Sequence, residues 1–360
     1  MKKRILAAVL AAAMVLGLAA CGGSSSSTAP SSSAGQEAAG ETKGDDAGEN
    51  AASEAKVGET VFRCAFNQSA ENPEAETLRR LSDALYDATE GRYSIEVYPN
   101  ETLGSQAETF ELLTTGVLEM TLVSTSIVEN ANPDFAIIGC PFIYDSEDHQ
   151  QRVFEGDGLD ALFATTEDLG FVTLAGYSLG PRCLYTPELI DTPEKLQNKK
   201  IRVMQSQTMI DMMKAMGAEG VAMGQADVYS AIQQGTIDGA ENNIITYVDL
   251  LQYEVAPYYT LTKHLMIPDL LLVSKEYWDM MSAEDQAAFR KVAKESVTTG
   301  FNLCAELRAK YFEKAENELG VTVTEVDIAP YQEKCTDLIN SIANRSDMTK
   351  QVYDAIQAAK

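Results

Sequence analysis

Residues 199–217 read KKIRVMQSQTMIDMMKAMG, and this stretch decides the architecture. Lys200–Met204 has the make-up of a short strand. Ser206 then stands where a side-chain oxygen caps the first free N–H groups of a helix. Gly217 closes the apolar run, as glycine does just past a helix C-terminus. A strand that passes through a short loop into a capped helix is half of a β-α-β unit. The pattern recurs on both sides. Val61–Phe66, Tyr93–Tyr98, Met120–Thr125 and Phe171–Tyr177 read as strands. Between them, Asn72-Pro73-Glu74 opens a helix near 73–90, with proline at its first position. Ser105 and Glu108 have capping-box spacing for a helix that ends at Gly116. A further helix is expected over about 226–234, with Gly235 as its stop. This alternation predicts an α/β fold with mainly parallel sheets.

The last third differs. Ser282 and Asp285 again have capping-box spacing, and a helical pattern without proline runs to about Leu319. Those roughly 37 residues span about 55 Å, so the helix is expected to cross two lobes or to bend, with Gly300 the place for a bend. A strand near 321–326 and a helical C-terminal stretch follow.

At the other end, Met1-Lys2-Lys3-Arg4 precedes an apolar run from Ile5 to Ala20 that is short for a membrane span and reads as a signal segment, 1–20. Leu18-Ala19-Ala20-Cys21 resembles the lipobox of bacterial lipoproteins, which implies lipidation at Cys21. Two or more acyl chains anchor stably where one is marginal. The Ser/Gly/Ala/Glu-rich stretch 21–56 has too little apolar surface to offset its ordering entropy and is expected to be a tether, with a reach of about 30–35 Å. The folded part is then 57–360, on the outer face of the membrane.

The 360 residues carry 28 Lys+Arg against 54 Asp+Glu, a formal charge of −26. Loss of Lys2, Lys3 and Arg4 takes it to −29. Nucleic-acid binding needs a basic footprint to displace counterions from phosphates, so that class is excluded. Six cysteines without C-x-x-C spacing and only two histidines give no metal or haem pattern. No cofactor and no metal are expected, and buried free thiols are the expectation for the five cysteines after Cys21, with one disulfide as the alternative.

Gly176-Tyr177-Ser178-Leu179-Gly180 matches the G-x-S-x-G nucleophile elbow. An elbow needs a helix directly after it and a downstream acid and histidine. Pro181 to Pro187 is instead extended and proline-bounded, and His264 alone could serve. No serine hydrolase is expected.

Eleven arginines occur, so their placement is informative. Arg202 ends a strand four residues before the helix cap Ser206. Strand ends facing helix N-termini are where open α/β sheets bind ligands, and free N–H groups there favour an anion. The planar guanidinium adds a fork for a carboxylate. A surface ion pair is the alternative role for Arg202 on these grounds alone.

The run A-D-V-Y-S-A-I-Q-Q-G at 226–235, continued as T-I-D-G-A-E-N-N at 236–243, resembles the signature of TRAP-type substrate-binding proteins, the binding components of tripartite ATP-independent transporters. Tyr98-Pro99-Asn100, Leu103-Gly104, Pro141-Phe142 and Leu270–Lys275 with Trp278 extend the resemblance over most of 60–320. The resemblance implies a bilobed periplasmic-binding-protein fold, two α/β lobes with the long helix crossing both. With crossings near Gly180 and Met266, lobe 1 takes about 57–180 and 267–307, and lobe 2 takes 181–266 and 308–360. It implies that Arg202 pairs with the ligand carboxylate, that Arg182 is a second ligand-binding arginine, and that Asn242 contacts the same carboxylate region. Gln205 and Ser206 match pocket positions. Asn67 and Glu71, with Ser124 and Thr125, would face the ligand from the other lobe. Gln225 stands where many members have a bulky apolar or aromatic residue, which suits a hydroxyl-rich ligand such as a uronate. A C4-dicarboxylate, another organic acid, or a ligand-presenting sensor role stays open. The implied partners are a small carboxylate ligand and the membrane permease subunits.

Overall fold

The computed structural model describes residues 55–360. The expected signal segment, Cys21 and the tether up to residue 54 lie outside the described residues. Eleven strands run along the described chain: β1 (Thr60–Phe66), β2 (Tyr93–Tyr98), β3 (Met120–Ser124), β4 (Phe171–Tyr177), β5 (Arg182–Thr186), β6 (Lys200–Val203), β7 (Glu219–Ala222), β8 (Gly239–Asn242), β9 (Tyr258–Leu265), β10 (Asp269–Ser274) and β11 (Thr322–Glu325). They form two sheets, in the orders β2-β1-β3-β10-β4 and β11-β9-β5-β8-β6-β7. The chain passes between them at 178–181 and again at 266–268.

The sheets are mixed, where mainly parallel ones were expected. In the first sheet β1 is parallel to β2 and β3, but β10 is antiparallel to β3 and β4. In the second, β5 is antiparallel to β8 and β9. Strands β5 and β10 arrive directly from the other sheet, whereas β11 arrives by way of a long helix and is parallel to β9. A strand entering directly skips the crossover helix that makes neighbours parallel.

Local chemistry explains the helices. Asn72 accepts from Glu74 N–H and Pro73 fills the first turn of the helix Pro73–Ala88, whose Leu78, Leu81 and Leu85 enter the core. Ser105 and Glu108 form the reciprocal capping box of Gln106–Thr114. Ser206 accepts from Met209 N–H, and Gly217 takes the left-handed conformation, φ 102°, after Met216.

The helix Ala283–Asn317 runs unbroken for 35 residues, about 52 Å. Its Phe289, Val297 and Phe301 join the first core, and Cys304 and Ala315 join the second. Gly300 does not break it: a Cβ there would stand 2.8 Å from Cδ1 of Tyr177, so glycine lets β4 and the helix approach closely. The C-terminus corrects the expected lobe assignment. Tyr331 and Cys335 of the helix Ala329–Ala343 pack with Met209 and Met212 in the second lobe. Val352 and Ile356 of the final helix Asp347–Ala358 instead belong to the first core. His149 Nε2 lies 2.7 Å from the Ile356 carbonyl oxygen, fastening that helix to lobe 1. Residues 308–360 therefore do not all belong to lobe 2. The five cysteines among the described residues are buried and unpaired.

Candidate ligand cleft

The two lobes meet across a cleft next to the crossings, and side chains from both sides touch. Asn67, at the end of β1, donates to Gln225 Oε1 at 3.4 Å, and Gln225 returns a bond to the Asn67 carbonyl at 3.4 Å. Ser69 Oγ donates to Asp249 at 3.2 Å, and Asn130 Nδ2 donates to the Gln205 carbonyl at 3.0 Å. Ser206 Oγ donates to the Glu129 carboxylate, which also accepts from Thr208 N–H at 3.3 Å. A protein carboxylate from the opposite lobe thus occupies the helix N-terminus that the sequence marked for a ligand anion. The described conformation is closed.

Two small cavities remain, of about 20 and 30 Å³. Each has room for about one water. Arg182, Asn242 and Asp269 line the first, Arg202, Gln205 and Glu101 the second, and Gln106, Met204 and Gln225 line both. Those three side chains are the partition between the arginines.

The arginines differ electrostatically. Arg182 is buried, and its Nε and Nη2 donate to the two carboxylate oxygens of Glu241 at 2.6 and 2.7 Å. Nη2 also donates to the Glu241 carbonyl at 2.9 Å, and Nη1 to Asn242 Oδ1 at 2.6 Å. Burial alone would lower its pKa, but the Glu241 carboxylate outweighs burial and leaves it raised. Burial likewise works against ionised Glu241, and Arg182 overrides it and holds the carboxyl below its usual range. Four of the five guanidinium N–H donors are therefore committed, so Arg182 offers a ligand one N–H where the resemblance implied a fork.

Arg202 is equally buried, at 3% exposure, yet has no carboxylate partner among the described residues. Its Nε and Nη2 share the Met223 carbonyl at 3.0 and 2.7 Å. Burial lowers its pKa, helped by the like charge of Arg182, and outweighs the opposing pull of Tyr185, Glu241 and Glu101. A buried cation with no ion-pair partner favours an incoming anion.

Not every expected residue reaches the cleft. Glu71 is exposed and lines neither cavity, because Asn72 turns the chain inward just after it. Ser124 Oγ caps the short helix Thr125–Val128, and Thr125 Oγ1 donates to the Pro268 carbonyl at 2.9 Å, so the first holds its own helix and the second the crossing. Ser206 faces Glu129. Gln205, Gln225, Asn67 and Asn242 do lie at the cleft. Sequence reasoning missed Glu241, Glu129 and Gln106, whose Oε1 accepts from Ser124 N–H at 2.6 Å. The G-A-E-N motif contained Glu241 in plain view, and an acidic residue next to a site arginine was its signal. At 176–180 strand β5, and no helix, follows β4, so the turn lacks the strand-to-helix geometry of an elbow.

Comparison with known proteins follows the same lines. The sequence pattern of the bacterial extracellular solute-binding proteins, family 7, matches residues 65–346. A TRAP periplasmic solute-binding protein from Xanthobacter autotrophicus with bound β-D-galacturonate superposes with a TM-score of 0.79 at 34% identity, covering 83% of this chain and 100% of that one. One from Anaerococcus prevotii with bound D-glucuronate gives 0.79 at 31% identity, covering 83% and 98%. The 2,3-diketo-L-gulonate-binding periplasmic protein YiaO of Escherichia coli is 26% identical over 268 residues, 74% of this chain and 81% of that protein.

Proposed function

The chain belongs to the bacterial extracellular solute-binding proteins of family 7, and we propose that it captures a sugar acid, of the uronate class, for a TRAP transporter. The observation that carries this reading is Arg202, a buried guanidinium that forms no ion pair with any described carboxylate. A ligand carboxylate there gains on the order of 1.5–3 kcal/mol as a charge-assisted hydrogen bond. The remaining Nη1 donor of Arg182 and the amides of Asn242, Gln225 and Gln106 offer hydrogen bonds of both signs to hydroxyl groups. The bound uronates of the similar structures support the same chemistry.

The cavities of about 20 and 30 Å³ are too small for a six-carbon acid. Binding therefore requires the lobes to open and Gln106, Met204 and Gln225 to part. Contacts made from both lobes then favour reclosure around the ligand, and the closed form is the one delivered to the permease subunits. Cys21 would carry the lipid that keeps the protein at the outer membrane face. The protein acts by binding and release, without chemistry on the ligand.

Calorimetry with D-glucuronate, D-galacturonate and succinate tests the reading. A uronate is expected to bind more tightly than succinate, and succinate binding alone would overturn the sugar-acid assignment. Arg202→Lys keeps the charge but loses the planar fork, and affinity for the uronate is expected to fall at least tenfold, about 1.4 kcal/mol.

A further inference from the structure

The crossing segments have two faces. Alternate residues of an extended chain point to opposite sides. Gly180, Arg182, Ile267 and Asp269 line the ligand cleft, whereas Pro181, Cys183 and Met266 line a second cavity of about 740 Å³ on the reverse side. That volume is in the range of small-molecule sites. Phe142 of the first lobe, Leu261 and Val323 of the second and Phe312 of the long helix give it an apolar bed.

Its charges are unevenly satisfied. Arg308 pairs with Glu147, and Asp145 with Lys360 at 3.0 Å. Glu316 and Glu325 are exposed on the wall and have no ion-pair partner among the described residues, and neither does Lys263. Two unpaired carboxylates against one ammonium, on a chain of formal charge −26, favour a cation.

We propose that this groove binds an amphipathic organic cation, its apolar body on the bed and its ammonium on Glu316 and Glu325, and that occupancy holds the cleft closed. The coupling follows from position. The groove and the cleft lie on opposite faces of the same two joints, so opening the cleft narrows the groove. A ligand that fills the groove disfavours opening, and by linkage the cleft ligand and the groove ligand tighten each other.

Decyltrimethylammonium below its critical micelle concentration is the probe, with decanoate as the anionic control. One-to-one binding of the cation is expected by calorimetry, weakened at least tenfold in the Glu316→Gln/Glu325→Gln double variant, with no comparable binding of decanoate. Galacturonate affinity is expected to rise at least threefold with the probe bound. That coupling rests on the sugar-acid reading, so small-angle scattering on sugar-free protein measures it separately, as a lower radius of gyration with the probe. No cation binding, equal binding by the double variant, or equal binding of decanoate would overturn the site. An unchanged radius of gyration would overturn the coupling whether or not galacturonate binds.

Discussion

Arg182 and Arg202 are both buried in one lobe, and their partners set them apart. Glu241 neutralises the first, and the second has only a carbonyl. Position in the motif did not separate these roles; the ion pair does. A neighbouring pair of carboxyls, Glu74 and Asp269, gives a pH prediction. Glu74 is 1% exposed and neither carboxylate oxygen has a hydrogen-bond donor among the described residues. Burial, then the neighbouring Asp269 carboxylate, pushes Glu74 well above the usual carboxylate range, and burial pushes Asp269 up to about 6 although Arg182 opposes it. Carboxyls raised in the folded state stabilise it below their unfolded pKa, near 4, and that contribution is lost as pH rises through the folded values, about 6 for Asp269. Glu74→Gln removes a group that the fold prefers neutral. Its Tm is expected to exceed that of the parent at pH 7.5 by several degrees, with the gain largely gone at pH 4.5. Equal Tm differences at the two pH values would refute this.

Among the elements, the long helix shows how packing overrides a local rule. Glycine in a helix interior costs about 1 kcal/mol relative to alanine, so Gly300→Ala looks stabilising from propensity alone. Here the added methyl meets the Tyr177 ring at 2.8 Å. Tyr177 is fully buried, and its hydroxyl is held 2.6 Å from Ser296 Oγ, so the ring has little freedom to retreat. Overpacking costs roughly 1–3 kcal/mol, which exceeds the propensity gain. Gly300→Ala is expected to lower the urea midpoint, with a net loss of about 1 kcal/mol; a raised midpoint would show that the helix shifts to accept the methyl.

On the scale of the whole molecule, closure is held by polar contacts between lobes, and Glu129 is central to it. Its carboxylate bonds Ser206 and the free N–H of Thr208, at the positive end of the helix Gln207–Met216. These contacts exist only when the lobes are shut. A hydrogen bond to a charged group contributes about 1.5–3 kcal/mol, so Glu129→Ala is expected to speed uronate dissociation roughly tenfold or more in stopped-flow measurements, with association changed far less. An unchanged dissociation rate would mean that the ligand alone holds the lobes together. The formal charge of −26 acts at this scale as well. It excludes nucleic acid, yet an anionic ligand is accommodated because low-dielectric walls around Arg202 matter more than distant, screened surface charge.

Sequence alone determined many of the elements and their caps, the α/β class and the family signature. Caps, glycine stops and apolar periodicity act within three or four residues, so they are readable along the chain: Ser105 to Glu108 and Ser206 to Met209 are such pairs. Only the tertiary structure decided that Arg182 is spent on Glu241, 59 residues away, and that Glu129 reaches Ser206 across 77. It also placed Glu71 outside the cleft, put Gln106 within it, inserted β5 and β10 antiparallel, and returned the last helix to the first lobe. Each depends on sheet order and lobe closure, which bring distant residues together in a low-dielectric interior where one partner decides whether a charge is satisfied. No local pattern encodes that neighbour.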